Sequence, residues 1–120
     1  MNNRRSFIVG IKSTKLSLRE INFIKKYKPW GIILFSRNIK NIKQTFKLTK
    51  SIRKIFNDKK YPILIDQEGG RVNRLKNIIS FDNLTSEFFG KKYIKNYDDF
   101  KIYYKLFIDK TSYLLKSIGV

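Results

Sequence analysis

Apolar residues along the chain form three short runs, separated by segments in which apolar positions recur every three or four residues. The runs at 5–11, 31–36 and 61–66 are rich in β-branched residues and predict strands, the last two covered on both faces. The predicted order is strand–helix–strand–helix–strand–loop–helix, which is typical of βαβ units on a parallel sheet. The pattern fits a small open sheet or the opening portion of a (β/α)₈ barrel.

Capping residues mark the predicted helix boundaries. Ser17 and Glu20 form a capping-box signature that opens the first helix, and Pro29 ends it. Asn41 caps the second helix, while Asp98 or Asp99 opens the last one and Gly119 ends it. The predicted core faces of the three helices, in order, are Leu18, Ile21, Ile24 and Tyr27; Phe46, Thr49, Ile52, Ile55 and Phe56; and Phe100, Tyr104, Phe107, Thr111, Leu114 and Ile118.

Length and charge limit the classes of function. With 120 residues the chain forms one domain, residues 1–120, and its net charge of +18 raises the question of a nucleic-acid partner. The lysines are spread over nearly every segment, so a general bias in composition explains the charge better than a nucleic-acid site does. A non-catalytic basic α/β module that binds RNA or an anionic glycan is the alternative function.

Two residue types are absent. The chain contains no cysteine and no histidine, which excludes disulfides and thiolate sites and removes the commonest general base. We therefore expect no metal and no cofactor, with acid–base chemistry left to Asp, Glu, Lys or Tyr. No apolar run approaches the roughly 20 residues that cross a bilayer, so we expect a cytoplasmic chain without a membrane partner.

Polar side chains gather where the second and third predicted strands end. Arg37 follows the second strand, and Asp66-Gln67-Glu68 follows the third, ahead of Gly69-Gly70 and then Arg71 and Arg74. The carboxyl ends of parallel strands are where such folds bind ligands. A carboxylate beside a guanidinium offers the paired acceptors and donors that bind sugar hydroxyls.

Two simpler interpretations of these residues stay open. Asp66 and Glu68 resemble the carboxylate pair of a glycosidase, although two groups so close in sequence can hardly flank a bond from opposite sides. Asp66 can also form a purely structural ion pair with Arg71 or Arg74, which would hold the turn in place.

The phrases GIILFSRNI and PILIDQEGGRVNRL, separated by one helix, resemble the N-terminal part of glycoside hydrolase family 3, and in particular its bacterial cytoplasmic β-N-acetylhexosaminidases. The resemblance implies part of a (β/α)₈ barrel and removal of terminal β-linked N-acetylglucosamine with retention, in peptidoglycan recycling. It implies that Asp66 and Arg74 bind the sugar. Glu68, Gly69, Gly70 and Arg71 would support the loop.

The sequence also departs from that family. Its histidine-bearing loop and its aspartate nucleophile have no counterpart here, so the resemblance implies that both lie beyond the chain end. We therefore expect about three βα units of eight, a truncated chain that is inactive alone. Its exposed strand edges would favour self-association.

Overall fold

The computed structural model describes residues 4–120 and shows a mixed α/β domain. The elements are β1 (Arg5–Gly10), α1 (Leu18–Tyr27), β2 (Pro29–Leu34), α2 (Ile42–Phe56), β3 (Ile63–Ile65), α3 (Ser86–Lys95) and α4 (Tyr97–Ser117). A single 3₁₀ turn, Ser36–Asn38, lies between β2 and α2. None of the helices in residues 4–120 is long and apolar enough to cross a membrane.

The three strands form one parallel sheet in the order β1-β2-β3. Gly10 pairs with Ile33 and Leu34 pairs with Ile65, so the carboxyl ends of neighbouring strands lie side by side. This register brings the residues that follow β2 and β3 to one edge of the sheet. The predicted parallel α/β arrangement is therefore confirmed.

The buried side chains form two clusters. The first lies between the sheet and the first two helices, and contains Ile11, Ile24, Ile32, Leu34, Leu48, Ile52, Tyr61 and Ile63. The second lies beneath α4 and the loop after β3, and contains Ile39, Leu75, Phe81, Leu114 and Ile118. Helix α2 is tied to the end of α4 by two hydrogen bonds, from Thr49 Oγ1 to Ile118 O at 2.8 Å and from Arg53 Nη1 to Gly119 O at 2.6 Å.

The helix caps confirm most predicted boundaries. Ser17 and Glu20 form the capping box of α1, and the Asn41 side chain accepts from Gln44 N at the start of α2. Gly119 follows α4 with φ +80°, a left-handed conformation that glycine adopts readily. The first helix ends at Tyr27 with left-handed Lys28 as its C-cap, immediately before Pro29, as predicted, and Pro29 begins β2.

Two predicted core positions in the first two helices are wrong. Leu18 is 79% exposed at the first turn of α1, where no other element covers it, and Phe46 is 47% exposed on α2. In α2 the side that faces the core instead carries Thr45, Leu48, Thr49 and Ile52. Their position places Phe46 at the solvent boundary of the helix.

The segment after β3 contains a helix that the apolar pattern does not reveal. Residues 86–95 form α3, capped by Thr85, where the sequence predicts an irregular stretch. Only Phe89 of this helix is buried, so its apolar stripe is weak in the sequence. The next helix begins at Tyr97 with Asn96 as its cap, rather than at Asp98 or Asp99, and the predicted core residue Tyr104 is 42% exposed.

Candidate functional site

The candidate site lies at the carboxyl edge of the sheet, where β2 and β3 end. Asn38 is buried in the 3₁₀ turn and bonds three backbone groups: its Nδ2 donates to Ile11 O at 3.0 Å and to Ser13 O at 2.9 Å, and its Oδ1 accepts from Phe35 N at 2.9 Å. These bonds fix the segments that follow β1 and β2 relative to each other. The sequence places an amide here but does not reveal this role.

Asp66 and Arg74 meet at this edge. Arg74 Nη2 lies 3.1 Å from Asp66 Oδ2, and 27% of the Arg74 side chain and 43% of the Asp66 side chain are exposed. Arg71 is exposed and takes part in none of the ion pairs found in residues 4–120. Of the two ion pairs left open by the sequence, the structure thus contains the one with Arg74.

The Phe35 ring lies near two guanidinium groups, one of which belongs to this pair. The Arg74 guanidinium carbon lies 5.3 Å from the centre of the Phe35 ring, and that of Arg37 lies 4.6 Å from it. Arg37 Nε also donates to Ile11 O at 3.0 Å, which directs its side chain along the strand ends. Both contacts are within the range of favourable cation–π interactions.

Arg74 retains an unused donor. Its Nε atom is buried and has no hydrogen-bond partner among residues 4–120, while Nη2 is occupied by Asp66. A buried N–H without a partner costs on the order of 1–3 kcal/mol.

Gln67 organises the loop that carries Arg74. Its Oε1 accepts from Arg74 N at 2.9 Å and from Leu75 N at 3.2 Å, while its Nε2 donates to Asn73 Oδ1 at 3.2 Å. Asn73 is buried, and its Nδ2 donates to Ile79 O at 3.1 Å. The sequence alone does not reveal either role, because only the fold shows which backbone groups the two amides reach.

Gly69 and Gly70 form a tight turn at φ +90° and +55°. The Glu68 and Gly69 amides both donate to Val72 O, at 3.0 and 3.2 Å, which closes the turn. The backbone of Gly69 and Gly70, which the sequence predicts to support the loop, thus forms a closed turn. Glu68 and Arg71 have exposed side chains, and their supporting role stays a prediction.

Comparisons of sequence identify relatives of this chain, although no protein-family model matches it. The β-hexosaminidase of Haemophilus ducreyi is 44% identical over 69 residues, which cover 58% of this chain and 20% of that protein. The β-hexosaminidase of Alkalilimnicola ehrlichii is 38% identical over 71 residues, with the same coverage of both. The chain therefore spans about a fifth of the length of these curated relatives.

Solved structures give the same result. NagZ from Neisseria gonorrhoeae, in complex with N-trifluoroacetyl-D-glucosamine, matches with a TM-score of 0.55 and 34% identity over 63% of this chain and 22% of that chain. A glycoside hydrolase family 3 β-N-acetylglucosaminidase from Paenibacillus sp. matches with a TM-score of 0.55 and 31% identity, over 62% of this chain and 15% of that chain. Sequence and fold together confirm that about three fifths of the chain resembles the N-terminal barrel domain of glycoside hydrolase family 3 β-N-acetylhexosaminidases.

Proposed function

We propose that this chain carries one side of the sugar-binding site of a β-N-acetylhexosaminidase. In this proposal Asp66 accepts hydrogen bonds from the hydroxyls of a terminal N-acetylglucosamine, and Arg74 donates to the same sugar. The observation that carries the proposal is their 3.1 Å ion pair at the carboxyl edge of a parallel sheet, with both side chains still partly exposed. The relatives named β-hexosaminidase and β-N-acetylglucosaminidase support it.

The proposed reaction needs groups that this sequence does not contain. By the same resemblance, a histidine transfers the proton and an aspartate from a distant strand is the nucleophile, and the chain has no histidine. We therefore propose that the 120-residue chain binds the sugar but does not hydrolyse it. The corresponding cellular role is peptidoglycan recycling in the cytoplasm.

The first test is calorimetry with N-acetylglucosamine on the wild-type chain, Asp66→Asn and the control Asp82→Asn. Asp82 belongs to the same loop region and is exposed, but its carboxylate bonds only Ser80 Oγ, at 2.9 Å, in the described structure. Hydrogen bonds to a charged group contribute roughly 1.5–3 kcal/mol, so Asp66→Asn should weaken binding by at least about tenfold. Asp82→Asn should bind as the wild type does.

Two results would contradict the proposal. Equal affinity of Asp66→Asn and the wild type would remove Asp66 from the site. Turnover of an aryl β-N-acetylglucosaminide by the purified 120-residue chain would overturn the proposed inactivity while leaving the binding role intact.

A further inference from the structure

Helix α2 carries a continuous stripe of lysines on its outer side. Lys43, Lys47, Lys50 and Lys54 follow one another at steps of four, three and four residues, which places them on one face of a helix. All four are exposed, and α2 contains no Asp or Glu. At 1.5 Å per residue the stripe is about 16 Å long. Four of the 20 lysines of the chain therefore share this face, while the others are spread over the remaining segments, as the sequence indicates.

The positive charge of this part of the molecule is not compensated. Residues 4–60 contain 17 of the 27 Lys and Arg residues but only two of the nine Asp and Glu residues. Of these two, Glu20 caps α1, and Asp58, which lines the depression beside Lys50 and Lys54, pairs with Arg4. None of the ion pairs in residues 4–120 involves a lysine of α2, whereas Lys91, Lys101 and Lys105 of the last two helices each pair with a carboxylate.

The stripe borders two depressions in the surface. A groove of about 580 Å³ between α1 and α2 is lined by Lys43 and Lys47, together with Lys15 from the loop before α1. A second depression, of about 290 Å³, is lined by Lys50 and Lys54, together with Lys59. Additional cations thus lie beside both ends of the stripe, which lengthens the path that a polyanion can follow.

Phe46 places an aromatic ring within the stripe. It lies three residues after Lys43 and four before Lys50, and 47% of it is exposed. A half-exposed ring between cations offers a stacking surface for an unpaired base, while the lysines neutralise the adjacent phosphates. Duplexes keep their bases stacked on one another, so this combination fits a single strand better than a double helix.

We propose that the outer face of α2 binds single-stranded nucleic acid without sequence specificity. A lipid surface fits less well, because the apolar side of α2, with Leu48 and Ile52, is buried in the core and has no access to a bilayer. On this face a second copy of the chain is disfavoured by mutual repulsion, since each copy carries a net charge of +18. This site is separate from Asp66 and Arg74 and stands independently of the proposed glycosidase role.

The test is fluorescence anisotropy with a labelled single-stranded 12-nucleotide RNA of mixed sequence. The variant K43Q/K47Q/K50Q/K54Q is compared with K91Q/K95Q/K101Q/K105Q, which removes the same charge from α3 and α4. We expect the α2 variant to weaken binding at least tenfold and the control to change it less than threefold. The slope of log K against log salt should fall by about 0.7 for each phosphate that a lysine no longer neutralises, or by about 2.8 for all four.

Substitution of Phe46 distinguishes base stacking from charge attraction as the source of RNA binding. We expect Phe46→Ala to weaken binding of the RNA about tenfold and binding of a duplex DNA of equal length much less. Equal losses in the two fourfold variants would overturn the proposal, because net charge alone would then explain binding. Stronger retention on anionic phosphatidylserine vesicles than on RNA would overturn it in favour of a lipid surface. An unchanged affinity of Phe46→Ala would overturn the assignment to a single strand.

Discussion

Arg74 Nη2 donates a hydrogen bond to Asp66 Oδ2 at 3.1 Å across the tight turn that follows β3. Because 43% of the Asp66 side chain and 27% of the Arg74 side chain are exposed, water screens the pair. Pairs of this kind contribute roughly 0–1 kcal/mol to folding stability. The same exposure leaves oxygens and N–H groups available to a ligand, so the geometry suits recognition better than it suits stabilisation.

Asp66→Asn should therefore separate binding from stability. We expect it to lower the free energy of unfolding by less than about 1 kcal/mol, although it removes the carboxylate that we propose binds the sugar. Urea unfolding followed by circular dichroism measures the change. A loss of several kcal/mol would favour the structural ion pair as the main role of Asp66.

Gly69→Ala should destabilise the turn that positions Arg74. Gly69 has φ +90°, and a Cβ there would lie 2.5 Å from Leu84 O, so the substitution combines backbone strain with a steric clash. Left-handed strain alone costs on the order of 1–3 kcal/mol, and we expect a decrease in the free energy of unfolding of at least about 2 kcal/mol. Urea unfolding measures this change as well.

Gly90→Ala is the matched control for that substitution. Gly90 lies within α3, and a Cβ added there meets no atom within 4 Å. Alanine is favoured over glycine in a helix by roughly 1 kcal/mol, so this variant should be slightly more stable than the wild type. Equal effects of the two glycine variants on unfolding would show that the turn at Gly69 does not require a glycine.

Asn38→Ala should be strongly destabilising. The substitution leaves the Phe35 amide and the Ser13 carbonyl without this partner, and it removes one of the two donors to the Ile11 carbonyl, the other being Arg37 Nε. Each unsatisfied buried group costs on the order of 1–3 kcal/mol, and we expect a total loss of about 2–4 kcal/mol. Thermal unfolding measures it, with exposed Asn83→Ala as a control that should change the midpoint little.

Because of Tyr61, the folding stability of the chain should decrease as the pH rises in the alkaline range. Burial raises the pKa of Tyr61 to about 12, opposed by the nearby Arg4 guanidinium, and its hydroxyl donates to Pro29 O at 2.8 Å. The ordinary value is about 10, so the folded chain retains a proton that the unfolded chain releases. The folding stability that this raised pKa provides is fully present below about pH 10 and is lost as the pH rises towards 12.

Tyr61→Phe isolates this effect from lysine deprotonation, which both chains share. Between about pH 9 and pH 11, on either side of the ordinary tyrosine pKa, the unfolding midpoint of the wild type should decrease more than that of Tyr61→Phe. Parallel curves for the two chains would contradict a raised pKa at Tyr61.

The sequence predicts the first two βα units well because their signals are local. The capping box at Ser17, the cap at Asn41 and the apolar run before Asp66 need no distant partner to be interpreted. Helix α3 escapes prediction because tertiary contacts at Phe89, rather than a strong apolar stripe, hold it in place. The prediction for Phe46 fails because three- and four-residue steps fit both the buried face of a helix and its border.

The sequence identifies the residues around Asp66 that form the candidate site, but it does not show which of them contact one another. These residues are adjacent in sequence, so the group around Asp66 could be recognised directly. The partner of Asp66 could not be recognised, because the choice between Arg71 and Arg74 depends on a turn that a distant backbone group holds, through the hydrogen bond from Gly70 N to Phe81 O at 3.0 Å. The roles of Gln67 and Asn73 likewise depend on backbone groups that only the fold brings near.

The central claim, that the carboxyl edge of the sheet binds an amino sugar, is tested most directly by a titration of the ¹⁵N-labelled chain with N-acetylglucosamine, followed by amide chemical shifts. The account predicts saturable shifts concentrated between residues 66 and 75 and around Phe35, which Asp66→Asn abolishes. Shifts spread over the surface without saturation, or unchanged shifts around Asp66, would contradict it.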